Sequence, residues 1–125
     1  MFHCHFGYDN PNVDTSLHII KLFDAFVTVP SIILDTDTRR RKLYGKAGSF
    51  RLTDYGCEAR SLSSFMQSTP ELLSTVWKGI ERVKEELRYP ATNISKYQRH
   101  IIDCINNSDI ELAKKLCNIF KIDYV

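Results

Sequence analysis

The chain has 125 residues, 43% hydrophobic and 26% charged, with 17 Lys+Arg against 15 Asp+Glu for a formal net charge of +2. That size suits a single domain over residues 1–125 with one core, and the composition excludes a disordered or membrane-embedded chain. An uninterrupted run of 18 apolar residues is missing, which argues against a transmembrane helix.

The first residues alternate: Phe2, Cys4, Phe6 and Tyr8 against His3, His5 and Gly7, the period of a half-buried strand. Asp9, Asn10, Pro11 and Asn12 make a turn, after which Asp14, Thr15 or Ser16 can cap a helix reaching about Phe26. Only His18, Lys21 and Asp24 are polar stripe positions, so this helix should be largely buried. Pro30 interrupts a β-branched run over 27–34, which reads as an edge or a strand beginning after the proline. Residues 43–53, with Gly45 and Gly48 inside, read as a hairpin whose second strand is 49–53.

From about residue 57 the pattern reads as helical. Ala59, Leu62, Phe65 and Met66 suit one face of a short helix. Thr69, Pro70 and Glu71 then open a long one in which Leu72, Leu73, Val76, Trp77, Ile80, Val83 and Leu87 recur at three and four until Pro90. Ile94, Tyr97, Ile101 and Ile105 mark another, and Ser108 with Glu111 forms a capping box for the last. The fold class is therefore α+β, a small antiparallel sheet from the N-terminal half packed against a mostly helical C-terminal half.

Chemical motifs are sparse. The apolar run ending in Asp35 and Asp37 resembles the start of haloacid-dehalogenase phosphotransferases. Arg39, however, stands where they carry a small hydroxyl residue, and the later strands they need are missing from the pattern. These two carboxylates read instead as a turn. His3, Cys4 and His5, with His100 and Cys104, could supply metal ligands, but a gap of about 95 residues between the pairs says little. His3 and His5 read more simply as the outer face of an edge strand. Cys4, Cys57, Cys104 and Cys117 read as reduced core residues. Neither a nucleophile elbow nor a phosphate loop is present, so the residues suggest no enzyme, no cofactor and no metal.

Charge is unevenly distributed. Residues 1–38 carry one base and five acids, residues 39–51 carry six bases and no acid, and the remainder is balanced. The basic segment, Arg39, Arg40, Arg41, Lys42, Lys46 and Arg51 with Tyr44 and Phe50 interleaved, is the candidate site for a polyanion or a partner. The leading expectation is a non-catalytic interaction or regulatory module, self-associating or bound to a protein partner, of the kind found among viral or pathogen accessory and matrix-like proteins. The alternative is an RNA- or single-stranded-DNA-binding protein using 39–51, with an anionic surface as a further partner. With no signal peptide or lipidation motif read at the ends, the expected location is cytoplasmic, and the 39–42 run allows nuclear entry.

Overall fold

The computed structural model describes residues 2–35 and 45–124. Its sheet has three antiparallel strands, β1 (Cys4–Gly7), β2 (Phe50–Thr53) and β3 (Gly56–Ala59), in the order β1-β3-β2. The register places His5 and Arg51 on either side of Glu58, and Phe6 and Leu52 on either side of Cys57. The mixed α/β architecture expected from the sequence is present, with the sheet near the N-terminal half and helices beyond it.

The two faces of the sheet follow from alternation. Cys4, Cys57 and Ala59 are buried, and Phe6 meets Phe23 of the first helix edge to face at 5.9 Å. The side chains between them, His5, Arg51 and Glu58, therefore occupy the opposite face. Gly56 is required where β1 crosses close to β3: its φ is 156°, and a Cβ there would lie 1.9 Å from the Phe6 carbonyl oxygen.

Behind the sheet runs a continuous helix, α-helical over Val13–Phe23 (α1), π-helical over Asp24–Thr28 and α-helical again over Val29–Leu34 (α2). Asn12 caps it by accepting from the Thr15 N–H at 2.8 Å, displacing the caps expected at 14–16. This corrects the strand expected after Pro30. Ala25, Phe26, Val27, Val29 and Ile32 are all buried, and that burial outweighs the weak strand preference of the β-branched run. Pro30 has no N–H for the Phe26 carbonyl, and the π turn absorbs the mismatch ahead of it. Gly79 packs against that same carbonyl, where a Cβ would lie 2.5 Å from the oxygen. By length and composition the 22-residue helix could cross a membrane, its most apolar 18-residue window having mean hydropathy 1.8, but 72% of that window is buried inside the fold.

Three helices close around it: α3 (Pro70–Arg88), α4 (Gln98–Asn107) and α5 (Ile110–Phe120). Thr69 caps α3 as expected, accepting from Leu72 N–H at 3.2 Å. Val76, Ile80 and Val83 face inward, whereas Trp77 and Leu87 of the same apolar series are exposed. Asp109 rather than Ser108 caps α5, because Ser108 takes the left-handed position that ends α4. Two further expectations fail around residue 57. The described partner of 50–53 is the strand 56–59, joined by Asp54 and Tyr55, while residues 43 and 44, expected to open the hairpin, lie outside the described residues. The short helix read from Ala59 is a strand end followed by a single 3₁₀ turn, Ser64–Gln67. All four cysteines are free and buried, Cys57 in the central strand.

Candidate functional site

The open face of the sheet gathers an ionisable cluster. Glu58, in the central strand, is 2% exposed although it points away from α1. Two side chains cover it. His3 Nδ1 contacts Oε1, and Arg51 reaches Oε2 with Nε at 3.0 Å and Nη2 at 2.7 Å. Alternation places Arg60 on the same face, one row from Glu58, with its backbone N–H bonded to the Ser49 carbonyl at 3.0 Å. His5, beside Glu58 on β1, pairs through Nδ1 with the hydroxyl of Tyr55 in the β2–β3 turn.

Burial alone would push the Glu58 carboxyl up, but the Arg51 hydrogen bond and the charges of His3, Arg51 and His5 outweigh it and hold Glu58 below the ordinary value. His3 is lowered, chiefly by desolvation. Glu58 pulls the other way, and Arg60, the terminal ammonium and His5 add to the lowering. His3 is therefore neutral near pH 7, and its contact with Glu58 is an Nδ1–H donation to a carboxylate. That assignment leaves Nε2 as the lone-pair nitrogen, and it is buried with no hydrogen-bond partner. A neutral imidazole anchored by a carboxylate, with its second nitrogen unengaged, is an arrangement that can accept a proton.

The basic segment fares differently. Arg39, Arg40, Arg41, Lys42 and Tyr44 lie outside the described residues. The other three candidates are not gathered into one surface. Lys46 Nζ lies 3.5 Å from the Asn106 carbonyl at the end of α4, Phe50 packs partly against the core, and Arg51 points to the opposite face onto Glu58. Asp35, read as half of a turn motif, ends α2 and accepts from the Ser63 hydroxyl. Cys104 is buried, with its thiol toward the Asp109 carbonyl. Among the described residues no three His, Cys, Asp or Glu side chains converge as a metal site would require.

His3 and His5 do occupy the outer face of an edge strand, as read from their alternation. The helix-like spacing from about residue 57 does not single out Glu58. A signal was present: Arg51 and Thr53, then Glu58 and Arg60, alternate about the two-residue Asp54–Tyr55 link, the pattern of a hairpin with a charged face.

A family model described as Phage phiEco32-like COOH.NH2 ligase-type 2 matches residues 2–101, which include all of this cluster. Neither a curated protein nor a solved structure matches. The match overturns the expectation of a non-catalytic binding module and the exclusion of an enzyme, since a ligase-type family implies catalysis. It likewise corrects the description of the chain by protein binding alone. The family's name does carry the word phage, in keeping with the viral association.

Proposed function

Because the chain belongs to the phage phiEco32-like COOH.NH2 ligase-type 2 family, we propose that it takes part in joining a carboxylate to an amine, with the open face of the sheet as the reacting surface. The observation that carries the reading is the His3–Glu58 pair, a carboxylate-anchored neutral imidazole whose Nε2 has no partner.

Near neutrality a carboxylate resists nucleophilic attack and an amine is protonated, so the carboxylate must first become an acyl donor. A nucleoside triphosphate is the class of co-substrate that does this. The carboxylate oxygen attacks the terminal phosphorus, the bond to the diphosphate breaks, and an acyl phosphate forms. The ammonium first gives one proton to solvent; the free amine nitrogen then attacks the acyl carbon, and the C–O bond breaks with its electron pair leaving on inorganic phosphate. The partly exposed His3 ring turns its covered Nε2 to the ligand and takes the second proton from nitrogen, and the imidazolium so formed is stabilised by Glu58. Arg51 and Arg60 supply cations on the same face for the negative charge of the acyl phosphate.

The test incubates the full chain with a nucleoside triphosphate and panels of carboxylates and amines, following amide by mass spectrometry and phosphate release in parallel. Amide is expected only when all three reactants are present. His3→Gln should remain folded and lose about 100-fold or more in turnover. Folded wild-type protein that makes no amide across the panel, or a His3→Gln variant as active as its parent, would overturn the proposal.

A further inference from the structure

The Glu58 cluster has two covers of unequal strength. His3 is 28% exposed and sits on Oε1. Arg51 is 62% exposed, and both of its contacting nitrogens converge on the single oxygen Oε2. A guanidinium binds an oxyanion best when its parallel N–H groups meet two oxygens, and here Glu58 offers it only one. Arg51 also stands in β2, an edge strand of the sheet, with its head largely in solvent. An incoming carboxylate or phosphate could therefore take the guanidinium by presenting two oxygens, at little cost in desolvation.

We propose that Arg51 is a latch: an oxyanion of the substrate draws its guanidinium off Glu58, leaving the carboxylate to act on His3 alone. This rests on the reading of the sheet face as the ligation site and adds to it an order of events. The oxyanion must arrive before His3 becomes a competent proton acceptor. Desolvation, Arg60 and His5 keep the imidazole weakly basic, and while Arg51 is latched its guanidinium shares the Glu58 carboxylate with His3. When Arg51 turns to the ligand, the full charge of Glu58 bears on His3 and its affinity for a proton rises. Among the described residues the other charged or titratable groups acting on His3 are His5 on β1 and Arg60 just past β3. Of these, Arg60 is a rival receptor for the same oxyanion, and the test must separate it from Arg51.

The experiment follows the His3 ring nitrogens by NMR across a pH titration of the full chain, alone, with inorganic phosphate, and with propionate. In the wild type, a bound oxyanion should raise the His3 midpoint by about one unit, a tenfold gain in proton affinity. Response to phosphate alone assigns the latch to the phosphoryl group, and response to propionate alone assigns it to the carboxyl substrate; either supports the proposal. In Arg51→Gln the midpoint should already be raised, and neither anion should move it further. A wild-type midpoint indifferent to both anions overturns the latch, as does an Arg51→Gln variant that still responds, because Arg60 would then be the receptor. If the variant fails to fold, Arg60→Gln takes its place: an anion response that survives it supports the latch, and one that it abolishes assigns the receptor to Arg60 and overturns the latch. The readout requires no turnover, so a working latch in a chain that forms no amide would refute the reaction while leaving the latch standing.

Discussion

Two buried glutamates, each bonded to an arginine, divide the molecule into the face proposed for the chemistry and a part that holds. Glu86, at the end of α3, is 4% exposed. Its Oε2 accepts from the backbone N–H groups of Ala91 at 3.0 Å and Thr92 at 3.1 Å, and its Oε1 from the Thr92 hydroxyl at 2.8 Å. Its arginine, Arg82, is 27% exposed and lies over the Phe26 ring at 4.7 Å. Arg82 also donates to the Phe120 carbonyl at 2.9 Å. Glu86 therefore ties the α3 terminus to the loop after it, and Arg82 ties α3 to the end of α5. Glu58 is served by side chains alone, one of them titratable near neutrality and the other mostly in solvent. Equal burial thus conceals opposite roles: a carboxylate satisfied by backbone amides can lose no partner without unfolding, whereas one satisfied by His3 and Arg51 can exchange both.

The contrast breaks if the two sites prove equally important to stability. Glu86→Ala should cost about 3 kcal/mol, since it leaves two backbone N–H groups and the Thr92 hydroxyl short of their acceptor and Arg82 without its charge partner. Urea unfolding with an unchanged slope would measure it. A loss below about 1 kcal/mol would place Glu86 among ordinary surface pairs and remove the distinction drawn above.

Much of the holding part is legible in the sequence because it rests on local rules. The Thr69 cap with Pro70 after it and the spacing of Val76, Ile80 and Val83 each reflect a short-range periodicity that tertiary packing reinforces. The sheet joins β1, whose alternation is local, to the β2–β3 hairpin far along the chain, and only their pairing shows that His5, Glu58 and Arg51 form one row. Residues 56–59 form a strand too short to announce itself, followed by helix-like apolar spacing that runs into a 3₁₀ turn. The helix through Pro30 misleads for a different reason: its β-branched residues and proline favour strand locally, and full burial against α3 and α5 reverses that preference. The basic run at 39–42, legible by composition, lies outside the described residues.

Acid sharpens the comparison at a smaller scale. Glu58 and Glu86 are both held below the ordinary carboxylate value, 4.5, so each contributes stability that is complete above that pH and is lost as pH falls through its lower folded value. His3 is lowered below 6.5, so its contribution is complete above 6.5 and begins to fade at milder acidity. Thermal unfolding between pH 7 and 3 should therefore weaken in two stages. His3→Gln should flatten the first and leave the second, while Glu86→Gln should shrink the second to the part that Glu58 contributes. A His3→Gln variant with an unaltered curve between pH 6.5 and 5 would mean that the imidazole is not held neutral by its surroundings.

The smallest expected change in stability is the most discriminating one. Arg51→Gln removes a side chain whose head is already largely hydrated, and Glu58 keeps His3 on Oε1, but the buried Oε2 loses its guanidinium, so the cost should be about 1 kcal/mol. Removing the guanidinium also frees Glu58 from a charge it no longer has to share, which raises the proton affinity of His3 as derived above. The variant should thus unfold at a urea concentration only slightly below the parental one while its amide-forming rate loses its dependence on a proton uptake linked to substrate. A loss of 2 kcal/mol or more on the same substitution would show that Arg51 clamps the sheet as Arg82 clamps α3. Both glutamates would then be structural, and the open face would lose its claim to the chemistry.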